Sequence, residues 1–184
     1  VIPGEDKIRQ IIQGYHVSFS GKVYGDENND HDVLMDVFGL LPAVKREHRQ
    51  YWGRELGMCW QRIVTELFRA NVKNFKPGYR EGEDELCDLI AKRDALDTKY
   101  RIGSGDAGTL KKFRQYGERL TNLGFRPVML ILRDDNLPDA LSACRAGGWT
   151  VLTGSATFQY IRTATKVDVQ QWLLSLKEEF HVSR

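Results

Sequence analysis

Residues 86–101 read LCDLIAKRDALDTKYR. Two carboxylates, Asp88 and Asp97, and one amine, Lys99, interrupt runs that are otherwise largely apolar. Carboxylates are hard oxygen ligands. A pair of them suits Mg2+, which keeps its other positions for water and phosphate oxygens, with Mn2+ able to substitute. A divalent ion held this way stabilises charge on a phosphoryl transition state and lowers the pKa of a bound water. A lysine beside it can hold the scissile phosphate, orient the water or help remove its proton. Together the three residues form an apparatus for phosphodiester hydrolysis, with Asp88 and Asp97 as metal ligands.

Something must bring these side chains together. Residues 86–90 and 95–102 have strand character, joined by a tight turn around Lys92 and Arg93. Strand side chains alternate, so Asp97 and Lys99 share a face. A two-residue turn pairs Ala91 with Asp94 and sets Asp88 directly opposite Asp97; a turn one residue longer spoils that register. Like charges directly opposite are destabilising, and a divalent cation relieves them. Asp94 belongs with the charged turn and is expected to be solvated. The competing reading is an exposed strand face with a salt bridge between Lys99 and one aspartate. The apolar strands and the helix before them favour a site.

The remaining elements follow from periodicity and punctuation. A short helical spacing at Ile8, Ile11 and Ile12 precedes a Gly/Asn/Asp-rich loop over 18–32. A helix is expected over 32–41, ending near Pro42. A second helical region covers 43–72, with Leu56, Trp60, Ile63, Val64, Leu67 and Phe68 on one stripe and a break or close packing point at Gly53 and Gly57. Residues 74–85 are expected to be loop. After the hairpin come a helix over 109–123 and a central strand at 128–132 (VMLIL). A helix opened by Pro138 and ended by Gly147-Gly148 leads to a strand at 149–152. An edge strand at 158–161 and a last helix from Thr165 complete the chain, with Val169, Trp172, Leu173, Leu176 and Phe180 facing inward. This order predicts an α/β fold: a mixed central sheet flanked by helices.

The string of Asp88 and Asp97-Thr98-Lys99, on a hairpin after a helix and before a helix–strand unit, resembles the PD-(D/E)XK nuclease core. More specifically, DTKYRIGSGDAGTLKKF followed by RPVMLILRDDNLPDA and GGW resembles the ApaLI-like type II restriction endonucleases, over about residues 54–180. The resemblance implies one nuclease domain over 1–184, with a mainly helical and loop N-terminal region (1–53) before the restriction-endonuclease-like catalytic core. It implies Mg2+-dependent cleavage of double-stranded DNA at a short palindrome, GTGCAC for the family's prototype, by a homodimer. Asp88 and Asp97 then stand for the motif's two acids and Lys99 for its lysine. Cys87 departs from the motif by standing where a proline is common. Such folds often add an acid or glutamine from the preceding helix, and LGMCWQRIVTELF offers Gln61, with Glu55 and Glu66 as rivals. The loop GSGDAG lies next to DNA on this reading, with Ser104, Lys111 and Lys112 near phosphate. As a plain turn, it would have Asp106 or Thr109 capping the next helix. The alternatives are a structure-specific repair or junction-resolving nuclease of the same core, and a non-catalytic DNA-binding module.

Other features set bounds. The 184 residues suit one domain with a sizeable core, and the formal charge of +2 neither announces nor excludes nucleic acid. GSGDAG lacks the GK[ST] ending of a nucleotide-binding loop, so no nucleotide cofactor is expected. Cys59, Cys87 and Cys144 are expected to be reduced core residues of an intracellular, cytoplasmic protein, and VIPGEDKIRQ lacks the basic-then-apolar pattern of a signal peptide. No apolar run of membrane-spanning length is present. His16, His31, His48 and His181 are scattered. Arg62, Arg69, Lys73, Lys76 and Arg80 form a basic spread that is either a solvated surface or a phosphate contact. The acids Glu81, Glu83, Asp84 and Glu85 are read mainly as a solvated loop.

Overall fold

The computed structural model describes residues 32–103, 105–177 and 180. Two short connections separate the first three helices. Asp32 caps α1 (Val33–Phe38) by accepting hydrogen bonds from the amides of Leu34 and Met35, both at 3.0 Å. Pro42 does not end a helix; it opens α2 (Pro42–Glu47), where its fixed φ and missing N–H fit the first turn. α3 (Arg49–Asn71) follows after a break at His48. Gly53 and Gly57 lie inside α3, so the expected break there falls instead four residues or more upstream. The α3 stripe of Trp52, Leu56, Trp60, Val64 and Phe68 is buried.

The stretch expected to be loop contains three short strands. β1 (Phe75–Pro77) joins the main sheet, and β2 (Arg80–Glu81) and β3 (Asp84–Glu85) form a separate small hairpin. They are too short to show a side-chain period, which hid them in the sequence. β4 (Leu89–Ala91) and β5 (Asp94–Lys99) form the predicted hairpin with Ala91 opposite Asp94. α4 (Ala107–Asn122) carries the chain to β6 (Arg126–Ile131), and α5 (Pro138–Ala146) carries it to β7 (Thr150–Thr153). Both crossovers make parallel pairs, so the sheet order β1-β4-β5-β6-β7 is mixed.

The fold is therefore α/β, with a five-stranded mixed sheet between helical layers. Alternation along β6 sends Val128 and Leu130 to one core and Met129 and Ile131 to the other. The first core is closed by α1, α3, α6 and α7, the second by α4 and α5. Trp60 lies fully buried on the first side and stacks edge-on against Phe158, ring centroids 5.8 Å apart.

The last third corrects the sequence reading. Residues 158–161 are not a strand but the middle of α6 (Gly154–Thr165). The buried positions Gly154, Thr157, Ile161 and Thr165 repeat at helical spacing, and the Thr157 hydroxyl donates to the Ile131 carbonyl at 2.8 Å. That buried stripe at helical spacing outweighs the β-prone side chains of FQYI. Thr165 consequently ends a helix rather than starting one. α7 (Val169–Ser175) is capped by Asp168. Val169 and Leu173 face inward as expected, whereas Trp172 and Phe180 are about half exposed, at 52% and 53%. None of the helices among the described residues is long and apolar enough to cross a membrane.

Candidate active site

Asp97 and Lys99 are on one face of β5, alternating with the buried Leu96 and Thr98. The Lys99 ammonium donates to Asp97 Oδ1 at 2.8 Å. Asp88 does not pair directly with Asp97. The ladder stops at Leu89 opposite Leu96, and Asp88 lies just beyond its end, its amide donating to the Leu96 carbonyl at 2.9 Å. The chain is off the ladder there because it arrives from the β2–β3 hairpin through Leu86 and Cys87, which are buried in the second core. Gly78 makes that path possible: a Cβ there would stand 2.1 Å from the Cys87 carbonyl and 2.9 Å from that of Asp88.

Freed from the ladder, the Asp88 carboxylate is gripped on both oxygens. Oδ1 accepts from Gln61 Nε2 at 2.6 Å. Oδ2 accepts from the Thr98 amide at 2.7 Å and the Thr98 hydroxyl at 2.6 Å. Gln61 reaches it from α3 because Trp60, its neighbour, anchors that helix against the sheet. Glu55 and Glu66 instead pair with Arg54 at 3.0 Å and Arg69 at 2.6 Å, on exposed helix surface.

Asp88, Asp97 and Lys99 line one cavity of about 200 Å3. Its other wall is α4, through Thr109, Lys112, Phe113 and Tyr116, with Trp149 and Glu85 at the sides. Of this wall only Lys112 is a residue expected near phosphate; the i, i+3, i+4, i+7 spacing of Thr109, Lys112, Phe113 and Tyr116 puts the others on the same helix face. Trp149 is held by a bond from its indole N–H to the Phe113 carbonyl, 2.8 Å. A side chain at Gly117 would collide with that indole and with the Gly147 carbonyl, at 2.6 and 2.2 Å. α4 is capped by Asp106, which accepts from the Thr109 amide at 3.0 Å. Lys111 and Lys112 are both exposed in its first turns. Ser104 lies outside the described residues.

The electrostatics are those of a site short of positive charge. Burial pushes the Asp88 carboxyl up to about 7, reinforced by the charge of Asp97 and opposed by Lys99 and the Thr98 bonds. For Lys99, burial pulls the pKa down, but Asp97 and Asp88 outweigh it and leave it raised. The three cysteines are free thiols; Cys87 and Cys144 are buried, and burial pushes both up to about 11. They are not nucleophiles at neutral pH.

Among the described residues, no three or more His, Cys, Asp or Glu side chains group into a cage that could enclose a metal. The donor set of Asp88 and Asp97 nevertheless fits an ion that takes one or two carboxylates and completes its shell with water and phosphate, as Mg2+ does.

Several charged residues are more engaged than the sequence suggests. Asp94 is no solvated turn residue: its side chain is 14% exposed and accepts from Arg126 and from the Tyr160 hydroxyl, each at 2.6 Å. Asp84 accepts from Tyr116 at 2.6 Å, and Glu81 pairs with Arg119 at 3.2 Å. In the basic spread, Arg69 and Arg80 are paired with Glu66 and Glu85. On the other side of the sheet, Arg133 is buried between Asp32 and Asp135, at 2.7 and 2.8 Å, and Tyr100 donates its hydroxyl to Asp32. A larger cavity of about 490 Å3 opens beside that network, with Ser155 on its rim in the first turn of α6.

No family model, curated protein or solved structure matches this chain.

Proposed function

We propose that this protein is a Mg2+-dependent endonuclease of the PD-(D/E)XK type that hydrolyses phosphodiester bonds in double-stranded DNA, as a type II restriction enzyme does. The observation that carries the reading is the meeting of Asp88, Asp97 and Lys99 in one cavity, with Gln61 bonded to Asp88. Two carboxylates and an ammonium around a space of that kind match the needs of phosphoryl hydrolysis better than those of a surface ion pair.

Asp88 and Asp97 would hold Mg2+, which supplies charge stabilisation and a water of lowered pKa when bound. In the metal-free protein the charges of Asp97 and Asp88 hold the Lys99 pKa up. In the loaded site Lys99 would hold a phosphate oxygen, orient the water or help remove its proton. In the reaction the water oxygen bonds to phosphorus, the bond to the leaving ester oxygen breaks, and a phosphomonoester and an alcohol result. Lys112, on the cavity wall, and Lys111 would neutralise neighbouring phosphates. A palindromic target calls for two copies of the chain related by a two-fold axis.

Plasmid and bacteriophage DNA incubated with Mg2+, with EDTA, and with Lys99→Ala provides the test. Discrete Mg2+-dependent fragments that disappear in the variant are expected, and sequencing their ends gives the site, with GTGCAC the first to compare. Folded wild-type protein that binds but never cuts DNA, in Mg2+ or Mn2+, refutes the catalytic reading and leaves a binding module.

A further inference from the structure

We propose that Thr98, the residue between Asp97 and Lys99, is a positioning residue that holds the Asp88 carboxylate in place for a divalent cation. The inference rests on the nuclease reading for its purpose and on geometry for its content. Thr98 is 5% exposed. A buried hydroxyl costs free energy unless it is hydrogen-bonded. Valine would fill the same volume in a strand with no such demand. The hydroxyl instead donates to Asp88 Oδ2 at 2.6 Å, and the Thr98 amide donates to the same oxygen at 2.7 Å.

Alternation explains why this grip is needed. Asp97 and Lys99 point to the α4 side, so Thr98 points to the α3 side, where Gln61 also stands. Asp88 is beyond the last ladder pair and has no strand register to fix its side chain. Gln61 holds Oδ1 and Thr98 holds Oδ2, so the plane of the carboxylate is set from the α3 side. Its one remaining lone pair, on Oδ1, is left for the cavity shared with Asp97. Hydrogen bonds to a charged acceptor are short and strong, and they determine how well a ligand carboxylate is preorganised.

The test compares Thr98→Val, which removes the hydroxyl, with Thr98→Ser, which keeps it and removes the methyl. Mn2+ binding is measured by electron paramagnetic resonance without DNA, and Mg2+-dependent cleavage is measured separately. Thr98→Val is expected to weaken Mn2+ binding by about 10-fold or more, the usual effect of losing a partner of a metal ligand. Thr98→Ser is expected to retain binding close to wild type. Should Thr98→Val not fold, Thr98→Ala makes the same comparison. Wild-type affinity in Thr98→Val, or equal losses in Val and Ser, overturns the proposal, and so does wild-type protein that binds no Mn2+. A Thr98-dependent Mn2+ site in protein that cuts no DNA supports the positioning role and refutes the nuclease reading instead.

Discussion

Replacing Asp88 by asparagine should stabilise the metal-free protein while abolishing the proposed metal site. The side chain is nearly isosteric and its bonds can be kept. The asparagine carbonyl accepts from the Thr98 amide and hydroxyl as Oδ2 does. Gln61, turned about its terminal bond, presents its carbonyl to the new amide. What disappears is a charge in a place that disfavours it. Moving the carboxyl from 3.8 to about 7 corresponds to about 4 kcal/mol once the group is fully ionised. Solvent reaching the partly exposed group through the cavity reduces this to about 1–3 kcal/mol.

The sign follows from proton binding. Between about pH 4 and pH 7 the folded state holds a proton on Asp88 that the unfolded chain has released, so stability falls as pH rises through that window. Urea unfolding in EDTA at about pH 5 and about pH 8 measures it. Asp88→Asn should be the more stable protein at the higher pH, and its advantage should shrink at the lower. Adding Mg2+ should raise the wild-type midpoint and leave that of the variant unchanged. A variant less stable than wild type at about pH 8, or a difference that does not change with pH, would refute the charge-poor site inferred here.

Two further outcomes test the frame around the site. Arg133→Met takes the guanidinium from the buried Asp32 carboxylate and leaves Asp135 to Arg101, at 3.1 Å, and should cost about 3–5 kcal/mol in urea unfolding; a loss under about 1 kcal/mol means the network is solvated in solution. Lys112→Ala should weaken DNA binding in Ca2+ without destabilising the fold, and should reduce the slope of log affinity against log salt by about one; an unchanged slope removes that lysine from the phosphate path.

The hairpin was legible because its register depends only on a two-residue turn, and Ala91 indeed stands opposite Asp94. The long helix and the central apolar strand were legible through their periods. What failed did so where local preference and tertiary packing disagree. Residues 158–161 have strand-forming side chains, but the wider stripe of Gly154, Thr157, Ile161 and Thr165 packs as a helix. Asp88 could not be placed by extending the ladder, because the chain arriving from the β2–β3 hairpin joins the ladder only at Leu89. The pattern that marks Asp97 and Lys99 hides Thr98. Alternation assigns it to the core, and only the departure of Asp88 from the ladder brings a carboxylate within its reach.

That departure also divides the work between the two acids. Asp97 is a strand residue whose charge is already met by Lys99 at 2.8 Å, with both side chains fixed by β5. Among the described residues no cation is bonded to Asp88; its partners are an amide, a hydroxyl and a backbone N–H. Neutral donors orient a carboxylate but cannot cancel its charge. With Asp88 ionised, Glu85, Asp88 and Asp97 against Lys99 and Lys112 leave the cavity one net negative charge; a divalent ion would turn that into one net positive charge, which the single negative charge of a phosphodiester balances. On this reading, the raised pKa of Asp88 is the cost to the apo protein of keeping a carboxylate ready for a cation, and filling the site should pull that carboxyl back toward the ordinary range.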